Sequence, residues 1–157
     1  MTTTNQLVIY TDGSSRGNPG AGGYGAILQW GAVKKELSKG YRRTTNNRME
    51  LMAVIAALEN LKKPALNITV YSDSQYVVKA VQLGWLKKWI LTNFKGKKNS
   101  DLWLRYAGLA SAHHIQFVWV KGHADNVNNN RCDILATTAA DGKDLDIDEG
   151  YEYGGDQ

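Results

Sequence analysis

Cysteine occurs once in the 157 residues, at position 132, and proline only twice. A lone cysteine excludes an internal disulfide and any zinc site built from several thiolates, and it fits a reducing compartment. With so few prolines and 43% hydrophobic residues, the chain has enough apolar surface for one core and the length of one domain. Long apolar runs are missing as well. No stretch approaches the length that spans a bilayer, and MTTTNQLVIY lacks a basic region ahead of an apolar one, so a cytoplasmic protein with no membrane partner is expected. Internal repeats and low-complexity segments are also absent.

Acidic residues are scarce through most of the chain. Residues 141–157, DGKDLDIDEGYEYGGDQ, hold seven acids and one lysine, which leaves residues 1–140 with 18 basic and eight acidic side chains. So basic a body favours a polyanionic partner, because neutralising phosphates drives most non-specific affinity for nucleic acid. The acidic end is expected to be solvated and poorly ordered, so the chain divides into a folded domain over 1–142 and a flexible tail over 143–157.

GAGGYG, Gly20 to Gly25, has the spacing G-x-G-x-x-G of a dinucleotide fingerprint. Such a fingerprint must open a helix, whose N-terminal N–H groups hold the pyrophosphate. Here the glycines run into YGAILQWG, a strand-like alternation, so GNPGAGG reads instead as a tight turn between antiparallel strands. The rest of the pattern predicts strands at 6–12, 23–30, 32–41, 67–72 and 115–120. Helices are expected at 46–61, from about 74, near 100–111 and at 129–140, with a basic aromatic segment at 84–98. Three leading strands followed by alternating helix and strand give an α/β fold with a mixed sheet flanked by helices.

The few acids fall in unexpected places. Asp12 and Asp73 each follow an apolar strand, in VIYTDGS and TVYSDSQ. Each either caps the turn that follows or, if the strands are parallel neighbours, converges with the other at the carboxyl edge of the sheet. Glu50 shares a helical face with Ala53, Val54, Ala57 and Leu61, an apolar stripe. Its alternative reading is a capping box with Asn47 as N-cap. Asp133, with Ala136 and Ala140 on its face, either complements a helix dipole or faces the core too. Four carboxylates near one sheet edge would repel one another and suffer from burial, and hard divalent cations such as Mg²⁺ satisfy such a set.

TDGSSRGNPGAGGYGAIL, RTTNNRMELMAVIAALE, YSDSQYV and WVKGHADNVNNNRCDILA together resemble the bacterial type 1 ribonuclease H family, in order and spacing, over residues 6–140. The resemblance implies a five-stranded mixed sheet. It also implies an endonuclease that cuts the RNA strand of an RNA–DNA hybrid, leaves 5′-phosphate and 3′-hydroxyl ends, and serves to remove RNA primers and R-loops. Two Mg²⁺ ions, with Mn²⁺ as a substitute, would be held by Asp12, Glu50, Asp73 and Asp133. His123, in KGHAD, matches the family's histidine that assists proton movement or product release.

By the same resemblance, Ser15, Asn18, Asn46, Asn47 and Gln75 would sense the 2′-hydroxyls that distinguish RNA from DNA. Many relatives carry cysteine at the position of Ser15. Arg43 and Thr45 would grip a phosphate of the DNA strand. The segment GWLKKWILTNFKGKKNS interleaves Trp85, Lys87, Lys88, Trp89, Lys97 and Lys98, a mixture suited to tracking a nucleic-acid backbone. Read without the family, it is an amphipathic helix with a tryptophan in the core. Within the family it is the basic protrusion that binds the DNA strand, a few residues shorter here than in well-known relatives. No obligate protein partner is implied, and a monomer is expected.

Overall fold

A computed structural model describes residues 6–121 and 126–154. Its strands are β1 (Gln6–Arg16), β2 (Gly20–Trp30), β3 (Val33–Thr44), β4 (Asn67–Ser72) and β5 (His114–Trp119). The helices are α1 (Asn46–Glu59), α2 (Gln75–Gln82), α3 (Trp85–Leu91), α4 (Ser100–Ala110), α5 (Val127–Ala140) and the short α6 (Glu149–Glu152). The five strands form one mixed sheet in the order β3-β2-β1-β4-β5. β1, β2 and β3 are antiparallel neighbours, whereas β4 runs parallel to both β1 and β5.

Alternate residues of each strand serve opposite faces. Leu7 and Ile9 of β1, Ala26 and Leu28 of β2, and Ile68 and Val70 of β4 join Leu51, Val54, Ile55 and Leu58 of α1 in the main core. α4 adds Trp103, which is fully buried. On the other face α5 lies across β1, β2 and β3. Contact there is so close that a Cβ on Gly25 would collide with the carbonyl of Cys132 and press on Leu135. Gly25→Ala is therefore expected to push α5 off the sheet at a cost of about 1–3 kcal/mol, read as a lower melting temperature.

The first three strands are longer than the sequence pattern indicates. β1 continues beyond Asp12 to Arg16 by pairing Ser14 and Ser15 with Gly23 and Gly22, after parallel pairing with β4 has ended at Thr11 and Ser72. Asp12 thus lies within a strand and still stands at the carboxyl edge of the parallel part of the sheet.

The C-terminal segment also departs from expectation. Described residues beyond 143 are not a solvated end: Asp146 bridges to Tyr41, its N–H donates to the Gly40 carbonyl at 2.9 Å, and Asp148 and Tyr151 are buried. The physical reason is charge pairing. Lys39 meets Asp146 at 2.7 Å, Arg48 meets Asp148 at 2.8 Å and Arg42 meets Glu152 at 2.8 Å, so acids that look repulsive in sequence are neutralised by the body.

Candidate active site and nucleic-acid groove

Where β1 and β4 part company, three carboxylates meet. Oxygens of Asp12, Glu50 and Asp73 lie within 4.8 Å of one another. Asp12 comes from β1, and Asp73 follows β4 directly. Glu50 comes from the second turn of α1 and faces the sheet, with 7% of its surface exposed. It reaches the site because α1 crosses β1 at Gly13, where a Cβ would overlap the backbone of Met49 and Glu50. The Gly13 N–H donates to Asp12 Oδ1 at 2.8 Å and also to Glu50 Oε1.

The capping box, the alternative reading of Glu50, is not formed. Thr45, not Asn47, is the N-cap, and its side chain accepts from the Arg48 N–H, which leaves Glu50 beyond the cap and free to serve the cleft. Asp133, on the second turn of α5, lines the same cleft of about 370 Å³ without joining the tight group of three. Asn46, Asn47 and Gln75 line it as well, and among the described residues no lysine or arginine does.

Burial raises the carboxyls of Asp12 and Glu50 well above the ordinary range. The Asp73 charge adds to the effect in both, and the hydrogen bond between the two carboxyls favours the proton on Glu50. Buried like-charged oxygens with no lining cation are the donor set that a hard divalent ion fits, since it takes oxygen ligands and removes the repulsion. The triad therefore suits a divalent metal.

A second hollow, of about 540 Å³, lies beside the cleft and is lined by Asn18, Thr45, Asn47, Trp85, Trp89, Lys97 and Lys98. The Asn18 side chain accepts the Asn46 N–H at 3.0 Å and so ties the β1–β2 turn to the start of α1. Of the two tryptophans, Trp89 packs against the core and stacks on Tyr76, while Trp85 remains 40% exposed. Lys97 lies 5.6 Å from the Trp89 ring centre, and Lys88 lines an adjoining hollow with Trp85 and Trp89. Lys87 is exposed on α3, Arg43 is exposed on β3 and Ser15 is half-buried on β1, and none of the three lines either opening. His123 lies outside the described residues.

Several residues of this region carry no sequence signal. Tyr76 lines both openings, and Asn99 and Tyr151 line the groove. Asn129, buried at the start of α5, donates through Nδ2 to the carbonyls of Thr11 and Tyr71 at 3.3 Å each, and so pins the helix that bears Asp133 across β1 and β4. Only the short polar side chain of Asn129, early in a helix, hinted at a role beyond capping.

A carboxylate cluster at the sheet edge beside a basic aromatic groove defines a hydrolase that acts on nucleic-acid phosphodiesters. The RNase H family model matches residues 4–141. A Ribonuclease H of Syntrophus aciditrophicus (strain SB) is 52% identical over 151 residues, 93% of this chain and 87% of its own. Among solved structures, LC9-RNase H1, a type 1 RNase H with the type 2 active-site motif, superposes with a TM-score of 0.77 at 29% identity, covering 89% of this chain and 74% of the other. LC11-RNase H1 in complex with an RNA/DNA hybrid superposes with a TM-score of 0.62 at 27% identity, over 86% of this chain and 96% of the other. The chain belongs to the RNase H family. Among its described residues no helix is long and apolar enough to cross a membrane.

Proposed function

We propose that this protein is an endonuclease that hydrolyses the RNA strand of RNA–DNA hybrids with two divalent ions, Mg²⁺ or in its place Mn²⁺, and leaves 5′-phosphate and 3′-hydroxyl ends. The observation that carries the reading is the convergence of Asp12, Glu50 and Asp73 within 4.8 Å, in a cleft that adjoins a lysine- and tryptophan-lined groove. Asp12, Glu50, Asp73 and Asp133 would hold the ions, which supply charge stabilisation for the attacking and leaving oxygens. The carboxylates fix where a scissile phosphate can lie. Asn46, Asn47 and Gln75, which line the cleft, are assigned to 2′-hydroxyl contacts, as are Asn18, which is tied to Asn46, and Ser15. His123 is assigned proton movement or product release by family resemblance.

Thr45 and Arg43 are assigned to a DNA-strand phosphate. Trp85, Trp89, Lys87, Lys88, Lys97 and Lys98 are assigned to the protrusion of 84–98. The protein would act as a cytoplasmic monomer in clearing RNA primers and R-loops.

Product analysis tests the chemistry: fragments of a labelled RNA strand should carry 5′-phosphates, and 5′-hydroxyl products would refute the proposed cleavage. The groove has its own test. Replacing Lys88, Lys97 and Lys98 by alanine should raise KM and leave kcat nearly unchanged, because uniform binding is lost and not transition-state stabilisation. Each lost phosphate contact lowers the slope of log K against log salt by somewhat under ~1 unit, so hybrid binding should become visibly less salt-dependent. Coincident slopes would mean that these lysines face away from the hybrid.

A further inference from the structure

Arg48 is fully buried in α1 and joins three parts of the chain. Its Nε and Nη2 donate to Asp148 at 2.8 and 2.9 Å, and its Nη1 and Nη2 donate to Asp101 at 2.9 and 2.7 Å. Nη1 also reaches Asn99 Oδ1 at 3.3 Å. From there Asn99 Nδ2 donates to Tyr76 Oη at 3.1 Å, and the Tyr76 ring stacks on Trp89 with centroids 6.4 Å apart. At the other end, Asp148 accepts from Thr44 Oγ1 at 2.7 Å and from the Tyr151 N–H at 3.3 Å. Tyr151 in turn lines the groove together with Thr45, Asn47 and Lys97.

A continuous set of contacts therefore runs from the C-terminal segment, through the start of α1, to the tyrosine shared by cleft and groove and to the tryptophan of the protrusion. A buried ion pair contributes little net stability, because desolvation offsets the attraction. What a guanidinium does supply is a planar fork of donors with fixed directions. The charge pattern fits the same purpose. An acidic segment beside a polyanion site would repel it, yet Asp146, Asp148 and Glu152 are each paired with a cation, and the residue of the segment that meets the groove is Tyr151, not an acid.

We propose that the segment around Asp148 and Tyr151 is a positioning element of the hybrid groove. Asp148 acts through Arg48 to set the α1 start and the protrusion in register, and Tyr151 forms one wall against which the substrate backbone is seated. This rests on the hybrid-cleaving reading above.

The experiment is steady-state cleavage of an RNA–DNA hybrid with Mg²⁺ by wild type, Tyr151→Ala, Tyr151→Phe and Asp148→Asn, alongside thermal melts, at a temperature where each is folded. Tyr151→Ala and Asp148→Asn should raise KM by about tenfold with kcat within about twofold of wild type, the signature of lost substrate seating. Tyr151→Phe, which keeps the ring, should stay near wild type. A merely structural role would lower the melting temperature and the active fraction, and hence apparent kcat, with KM unchanged; that result overturns the inference. Should Asp148→Asn fail to fold, the two Tyr151 variants decide. Wild type that cleaves no hybrid would refute the function itself, an outcome distinct from an unchanged KM in the variants.

Discussion

Replacing Asp12 by asparagine is expected to lower hybrid cleavage by at least about 10³-fold while hybrid binding is retained, since a divalent ion supplies several kcal/mol of charge stabilisation. Asparagine keeps the shape of the side chain, so β1 and its pairing with β2 and β4 should be undisturbed. What disappears is one of the three carboxylates whose oxygens lie within 4.8 Å of one another. Removing a buried acid that its neighbours repel should leave the fold at least as stable, so a lower melting temperature is not expected to accompany the loss. Glu36→Gln is the control. Glu36 pairs with Arg131 at 2.7 Å across an exposed surface, where an ion pair contributes about 0–1 kcal/mol, and cleavage should stay near wild type. Near-normal turnover by Asp12→Asn at physiological Mg²⁺ would remove the carboxylate cluster from the chemistry.

Arg48→Met should destabilise the protein by about 3–5 kcal/mol, because Asp148 would be left buried without its cation. In a domain of this size that corresponds to a fall in melting temperature of roughly 10 °C, measurable by circular dichroism. Replacing Asp148 by leucine in the same chain should recover part of the loss, since an apolar pair of similar volume avoids the desolvation cost.

The network also sets a pH dependence. Burial works to raise the Asp101 carboxyl, but the Arg48 hydrogen bonds and charge outweigh it and hold it below its ordinary range. A carboxyl depressed by folding contributes stability that is complete above its unfolded pKa and is lost as pH falls through the folded value. Wild type should therefore lose more stability than Arg48→Met on acidification below about pH 4. Equal acid sensitivity of the two would show that the Arg48–Asp101 pair is not felt.

Local pattern was enough for much of the architecture. Apolar alternation located β4, and the reversal in GNPGAGG was legible because glycine tolerates positive φ and proline fixes its own, although the turn is confined to Gly17–Pro19 and Gly20 already opens β2. The adjacency of Asp12 and Asp73 followed once β1 and β4 were taken as parallel neighbours. What stayed hidden depends on partners far along the chain. Arg48 reads as one more polar residue of RTTNNRMEL, yet it is buried because Asp101 and Asp148 arrive from 53 and 100 positions away. The seven acids of the last segment suggested a solvated end for the same reason: composition shows their charge but not Lys39, Arg42 and Arg48 waiting opposite them. Choice of cap was equally underdetermined, since Thr45, Asn46 and Asn47 all suit an N-cap by type, and it is Thr45 that has the extended backbone and accepts the Arg48 N–H.

The most direct test of the account is cleavage of one RNA sequence, 5′-labelled, presented as an RNA–DNA hybrid, as an RNA duplex and as a single strand, beside a labelled DNA duplex, each with Mg²⁺ and with EDTA. The account predicts that only the RNA of the hybrid is cut, and only when Mg²⁺ is present. Cutting of the DNA duplex or the RNA duplex at a comparable rate, or cleavage that persists in EDTA, would contradict it.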